Sequence, residues 1–186
     1  MEKKGDIWIA TVIYIAIGVV TLTLIVSTGV PLINKLRDRN TFVQSKDVMH
    51  SIDDAINEVV SEGPGSRRAL NPVSIKKGEL TIRDDNSIFW QMDTKAKVQE
   101  TYRTKQEAVS VIEKNLEIVE YEHEILVDNY VVQIILDYSG KNIEISSEGE
   151  ARKLTGKFGL IISNEGIVED TGGSGVRPTR VNIEVI

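Results

Sequence analysis

The chain has 186 residues, 22 Lys+Arg against 28 Asp+Glu, and no cysteine. A net charge of −6 argues against a nucleic-acid partner, which needs a concentrated basic face, and the missing thiols exclude a disulfide framework or a thiolate metal site. The length beyond the first apolar stretch leaves room for one water-soluble domain and little more.

Taken in chain order, the first six residues are charged. Lys3, Lys4, Gly5 and Asp6 stand directly ahead of a run from Ile7 to Ile33 that contains no Asp, Glu, Lys, Arg or His. As a helix rising about 1.5 Å per residue, that run is roughly 40 Å long, more than a hydrocarbon core of about 30 Å requires. No water is available in lipid to satisfy backbone amides, so a segment this apolar is expected to cross as a helix. It is too long for the apolar region of a cleaved secretory signal, about 7 to 15 residues. Its hydroxyls, on Thr11, Thr21, Thr23, Ser27 and Thr28, can bond to carbonyls of the preceding turn. Trp8 is placed for the headgroup level, Ile17 for mid-membrane, and Pro31, two residues after Gly29, for a gentle bend. Flanking charge does not orient the span: Lys3 and Lys4 precede it, and Lys35, Arg37 and Arg39 follow.

The basic leader closed by Gly5 in front of a long apolar helix resembles type IV pilin-like precursors, in particular the archaeal class with a class III signal peptide. That resemblance implies cleavage between Gly5 and Asp6 by a membrane-embedded prepilin peptidase acting on the cytoplasmic side. It implies an N-terminus inside and a domain outside at the cell surface. It also implies partners: the membrane, then copies of the chain or other pilin-like subunits packed through the apolar helix of a filament. Bacterial-type pilins carry a Glu five residues into the mature chain, where this sequence has Ala10.

From Asn34 to about Val60 the helix is expected to continue. Phe42, Met49 and Ile56 share one heptad position and Ser45, Ile52 and Val59 another, with Gln44, Asp47, Asp54 and Asn57 opposite. The repeat is too short for a coiled coil, so the stripe is expected against a β domain, and Gly63-Pro64-Gly65 ends the helix. Segments then follow as leader 1–5, membrane helix 6–34, amphipathic helix 35–62 and β-rich domain 66–186.

The remainder reads as strands and turns. Ala69–Ile75 and Glu79–Ile82 are expected to form a hairpin about Lys76-Lys77-Gly78, and Asp84-Asp85-Asn86 turns into Ser87–Met92. Residues 94–114 fit neither period. Leu116–Val119, Ile125–Val127, Tyr130–Tyr138, Ile143–Ile145, Lys157–Ile162 and Val181–Ile186 complete the strands, with the last inside a sheet. The expected class is α+β: a long N-terminal helix, half transmembrane and half amphipathic, followed by an antiparallel sheet or small sandwich.

Little in the sequence points to catalysis, and nothing calls for a cofactor. His50 reads as a packing or solvent-edge histidine on the helix. Glu120, Glu122 and Glu124 alternate onto one strand face opposite Tyr121 and His123; a hard-cation site is conceivable there, but a solvated face is preferred. Asp53 and Asp54 point to different helix faces and read as surface charge. Thr171-Gly172-Gly173-Ser174-Gly175 lacks the Lys-Ser/Thr ending of a phosphate loop, and Lys153-Leu154-Thr155-Gly156 lacks the companion motifs of a β-lactamase. Two readings stand: a pilin-like filament or accessory subunit, or a single-pass membrane protein whose β domain binds a partner or ligand without polymerising.

Overall fold

The computed structural model describes residues 3–83, 85–98, 109–113, 115–122, 129–147, 152–168 and 177–186. One helix, α1 (Lys3–Glu62), is followed by eight strands: β1 (Arg67–Ile82), β2 (Ser87–Thr94), β3 (Val109–Glu113), β4 (Leu116–Glu122), β5 (Tyr130–Asp137), β6 (Ile143–Ser147), β7 (Arg152–Ile167) and β8 (Thr179–Val185). They form a single sheet in the order β3-β4-β5-β2-β1-β7-β8-β6, rather than a sandwich. Every pairing is antiparallel except β6 with β8. The chain divides into two units, Met1–Arg37 and Asp38–Ile186.

In the second unit, the stripe read from the sequence is the helical half of the core. Phe42, Met49, Ile52, Ile56 and Val59 are buried in one cluster with the sheet residues, and Asp47, Asp54 and Asn57 remain exposed. The sheet meets them with rows set by register. Leu80, Trp90, Ile134 and Ile118 align across β1, β2, β5 and β4, and Ile82, Ile88, Leu136 and Leu116 form the next row. The residues of both rows are buried, as alternation requires of the face turned to the core. Phe42 and Trp90 stack obliquely, 6.5 Å between centroids at 48°. Each fully buried side chain of this size contributes about 1.5–3 kcal/mol.

The helix ends as its glycines predict. Gly63 and Gly65 take φ of +95° and +88°, the left-handed region that stops a helix. The orphan carbonyl of Val59 accepts hydrogen bonds from Asn164 Nδ2 at 2.9 Å and Ser66 Oγ at 2.7 Å. Asn164 Oδ1 in turn accepts from the Gly166 amide at 2.8 Å, so one buried amide joins the end of α1 to β7.

Two expectations need correction. Lys76-Lys77-Gly78 is no hairpin turn. β1 runs through it, because residues on both sides pair with β7: Ile75 opposite Gly156, then Leu80 opposite Leu154. Residues 76–79 therefore stand against Thr155 alone, a bulge that Gly78 permits with φ of +84°. Asp53 is buried rather than surface charge, as described below. The expected strand Ile125–Val127, His123, Glu124 and the run Thr171–Gly175 lie outside the described residues.

Candidate functional site

Lys3, Lys4, Gly5, Asp6 and Ile7 fall in the first turns of α1. Beyond them the helix buries almost nothing: Trp8 is 73% exposed and Ile17 57%, and apolar side chains on every side of the helix from Ile9 to Leu36 are open. Among the described residues this is the one helix long and apolar enough to cross a membrane. Four of its Ser and Thr hydroxyls bond internally: Thr21 Oγ1 donates to Ile17 O, Thr23 Oγ1 to Val19 O, and Ser27 Oγ and Thr28 Oγ1 both to Leu24 O, at 2.7–3.0 Å. What this stretch offers a neighbour is therefore apolar surface. Gly18 and Gly29 have no heavy atom within 4 Å of where a Cβ would stand. Pro31 lies inside the helix, which continues through it; its missing N–H leaves one carbonyl without its usual donor.

In the second unit the polar chemistry is concentrated where the helix meets the sheet. Asp53 lies 2% exposed on the core side of α1. Tyr138 Oη donates to its Oδ1 at 2.7 Å, and Asn115 Nδ2 donates to Oδ1 and Oδ2 at 3.0 and 2.9 Å. Burial, and then the hydrogen bond to Asp53, pushes the Tyr138 hydroxyl far above the ordinary tyrosine range. Asp38, also buried, accepts from Lys77 Nζ at 2.7 Å and from Thr94 Oγ1 at 2.9 Å. Glu113, at the end of β3, pairs with Lys46 at 3.0 Å and lies 3.8 Å from His50 Nε2, so the histidine packs at an edge as expected.

Glu120 departs from the solvated face expected for it. It is 2% exposed, and its Oε1 accepts the Val98 amide at 3.0 Å. Among the described residues no group of three or more His, Asp or Glu side chains is placed to hold a metal ion. The buried acids were readable in one respect. Asp38 lies four residues before Phe42, and Asp53 four after Met49 and three before Ile56, so both fall on the apolar stripe, where an acid needs donors.

Asp137 Oδ1 accepts the Ser139 amide at 2.8 Å. Hydrogen bonds from the Ser139 side chain and backbone hold this carboxyl below the usual range. Arg68 bridges Glu58 and Glu62 at the end of α1, and those bonds raise its guanidinium further.

The chain is thus of the α+β class: the first part of its long helix α1 is compatible with a membrane anchor, and in its second unit the sheet packs on the later part of the same helix. No protein family, curated protein or solved structure matches the chain.

Proposed function

We propose that the chain is a pilin-like subunit, trimmed after Gly5 by a prepilin-type peptidase, which is first held in the membrane by α1 and then packs with its copies through that helix in a surface filament. The observation that carries this reading is the juxtaposition of Lys3-Lys4-Gly5-Asp6 with a helix that from Trp8 to Ile33 is uncharged, predominantly apolar and exposed at every position but Gly29. Free apolar surface of that extent in a soluble chain is costly. A bilayer satisfies it, and so does a bundle of identical helices. With the hydroxyls of Thr21, Thr23, Ser27 and Thr28 bonded within the helix, association rests mainly on van der Waals packing of Ile, Val and Leu against Gly18 and Gly29.

One observation supports a second reading. No acid occurs from Ile7 to Ile33, and Ala10 occupies the position where bacterial-type pilins carry Glu. A chain that keeps its leader would be a permanent single-pass anchor whose sheet domain engages a partner. The deciding experiment is N-terminal sequencing and intact mass of the protein from membranes and sheared surface material of cells expressing it with a prepilin peptidase. A start at Asp6 supports the pilin-like route, and a start at Met1 or Glu2 overturns it in favour of the anchor.

A further inference from the structure

The bulge in β1 has a cavity over it. A hollow of about 660 Å³ opens on the second unit, lined by Lys77–Glu79 of the bulge, by Lys153 and Thr155 of β7, and by side chains of β2. That volume is in the range of small-molecule sites. The register mismatch creates it: β1 spends residues 76–79 where β7 spends one, so the strands part locally without the sheet breaking. Gly78 permits the bulge with its positive φ and lets it lie close on β2, since a Cβ there would stand 2.3 Å from the Gln91 carbonyl oxygen.

The chemistry of the lining is selective. Its lysines are already neutralised, Lys77 by Asp38 at 2.7 Å and Lys153 by Glu79 at 2.8 Å. Arg83 is held over the Phe89 ring, 4.2 Å from its centroid, with Asp85 at 4.0 Å. What remains is neutral bonding capacity and one carboxylate. The Oε1 of Gln91 accepts from Gln133 Nε2 at 3.0 Å, and the same Nε2 donates to Tyr121 Oη at 3.0 Å. This relay fixes the amide from behind. The Gln91 Nε2 is left as an oriented donor, with no partner among the described residues. The hydroxyls of Thr81 and Thr155 and the carboxylate of Asp93, all lining the hollow, likewise have no side-chain partner among those residues.

From this juxtaposition we propose that the cavity over the β1 bulge binds an uncharged, polyhydroxylated ligand, a neutral sugar ring. A sugar presents adjacent hydroxyls that each donate and accept, which matches an amide donor, two hydroxyls and a carboxylate able to accept from a vicinal pair. An anion would meet Asp93 and find both lysines engaged, whereas a cation drawn to Asp93 would share the hollow with the Arg83 guanidinium, whose ion pair with Asp85 is long at 4.0 Å. Fixing Gln91 through Gln133 and Tyr121 lowers the ordering cost of binding.

The test is ligand-observed saturation transfer with the full chain in lipid nanodiscs, free of glycoside detergents. The probes are methyl glycosides of glucose, galactose and mannose, neutral oligosaccharides of the same sugars, and inorganic phosphate and glucuronate as charged controls. Transfer to at least one neutral glycoside is expected, with none to glucuronate and no loss of the glycoside signal when inorganic phosphate is added as a competitor. Gln91→Ala and, separately, Thr155→Val should weaken binding about three- to tenfold with an unchanged melting temperature, and Gln133→Ala should weaken it through the relay. Preference for oligosaccharides over monosaccharides would identify a glycan chain as the source, and equal response a free sugar. No transfer to any neutral glycoside overturns the proposal, as does phosphate competing for the site or binding indifferent to both Gln91→Ala and Thr155→Val. Leader processing is read independently, so failure of either idea leaves the other standing.

Discussion

At Asp53 a carboxylate is taken out of water and held by donors that carry no charge, Tyr138 and Asn115. Such a group is tolerated only while its bonds are made, so removing a single donor has a cost larger than the bond's net contribution. Tyr138→Phe is expected to destabilise the second unit by about 1–3 kcal/mol in a urea or thermal melt. The pH dependence has a definite sign. The raised Tyr138 hydroxyl keeps its proton in the folded state where an unfolded tyrosine, with its ordinary value near 10, would lose it. Its contribution is therefore complete below about pH 10 and declines as the pH rises beyond that. In an alkaline titration followed by tyrosinate absorbance, one of the five tyrosines should remain silent until the chain unfolds, and in Tyr138→Phe that delayed fraction should vanish. Gly78 makes a different demand, on the backbone. Its φ of +84° and the 2.3 Å approach to Gln91 O mean that Gly78→Ala should cost about 2 kcal/mol or more, measured as a lowered urea midpoint.

At the scale of the element, α1 contains two helices' worth of physics in one. From Trp8 to Ile33 it carries no charged side chain and is open almost throughout, and from Asp38 it is amphipathic and half buried. Ile17→Lys should reduce membrane insertion, at a cost of about 2.5–3.5 kcal/mol on insertion scales. Asp54→Lys, on an exposed position of the second part, should leave both insertion and melting nearly unchanged. Fractionation of the two variants side by side checks the pair, and equal behaviour would count against an anchoring role for residues 7–33. This helix was legible because its signals are local: an unbroken apolar run, then a stripe of period 3.6, then Gly63. The strands were legible where alternation is regular, as from Tyr130 to Leu136. β1 was misread because a Lys-Lys-Gly cluster is the same local signal for a hairpin and for a bulge, and the choice between them is made by β7, more than seventy residues away. Asp53 was misread for a related reason. Its donors on Asn115 and Tyr138 are distant in sequence, and nothing near the residue announces them.

For the molecule as a whole, the leader proposal gives a clean expectation. Gly5→Leu should leave the chain at full intact mass in the membrane fraction, while the wild-type chain begins at Asp6. The second unit, for its part, hangs on a seam. β8 lies between β7 and β6, antiparallel to one and parallel to the other, and β6 has no other strand partner among the described residues. A ribosome delivers β6 well before β8. Until Thr179 and the residues after it emerge, Ile143 and Ile145 have no strand to hold them, however well β1, β2, β4 and β5 have paired. The order of synthesis thus imposes a waiting period. A chain interrupted between Ile167 and Thr179 would carry a nearly complete sheet with an unfilled slot beside β7, and would present that slot to the quality-control machinery of the cell.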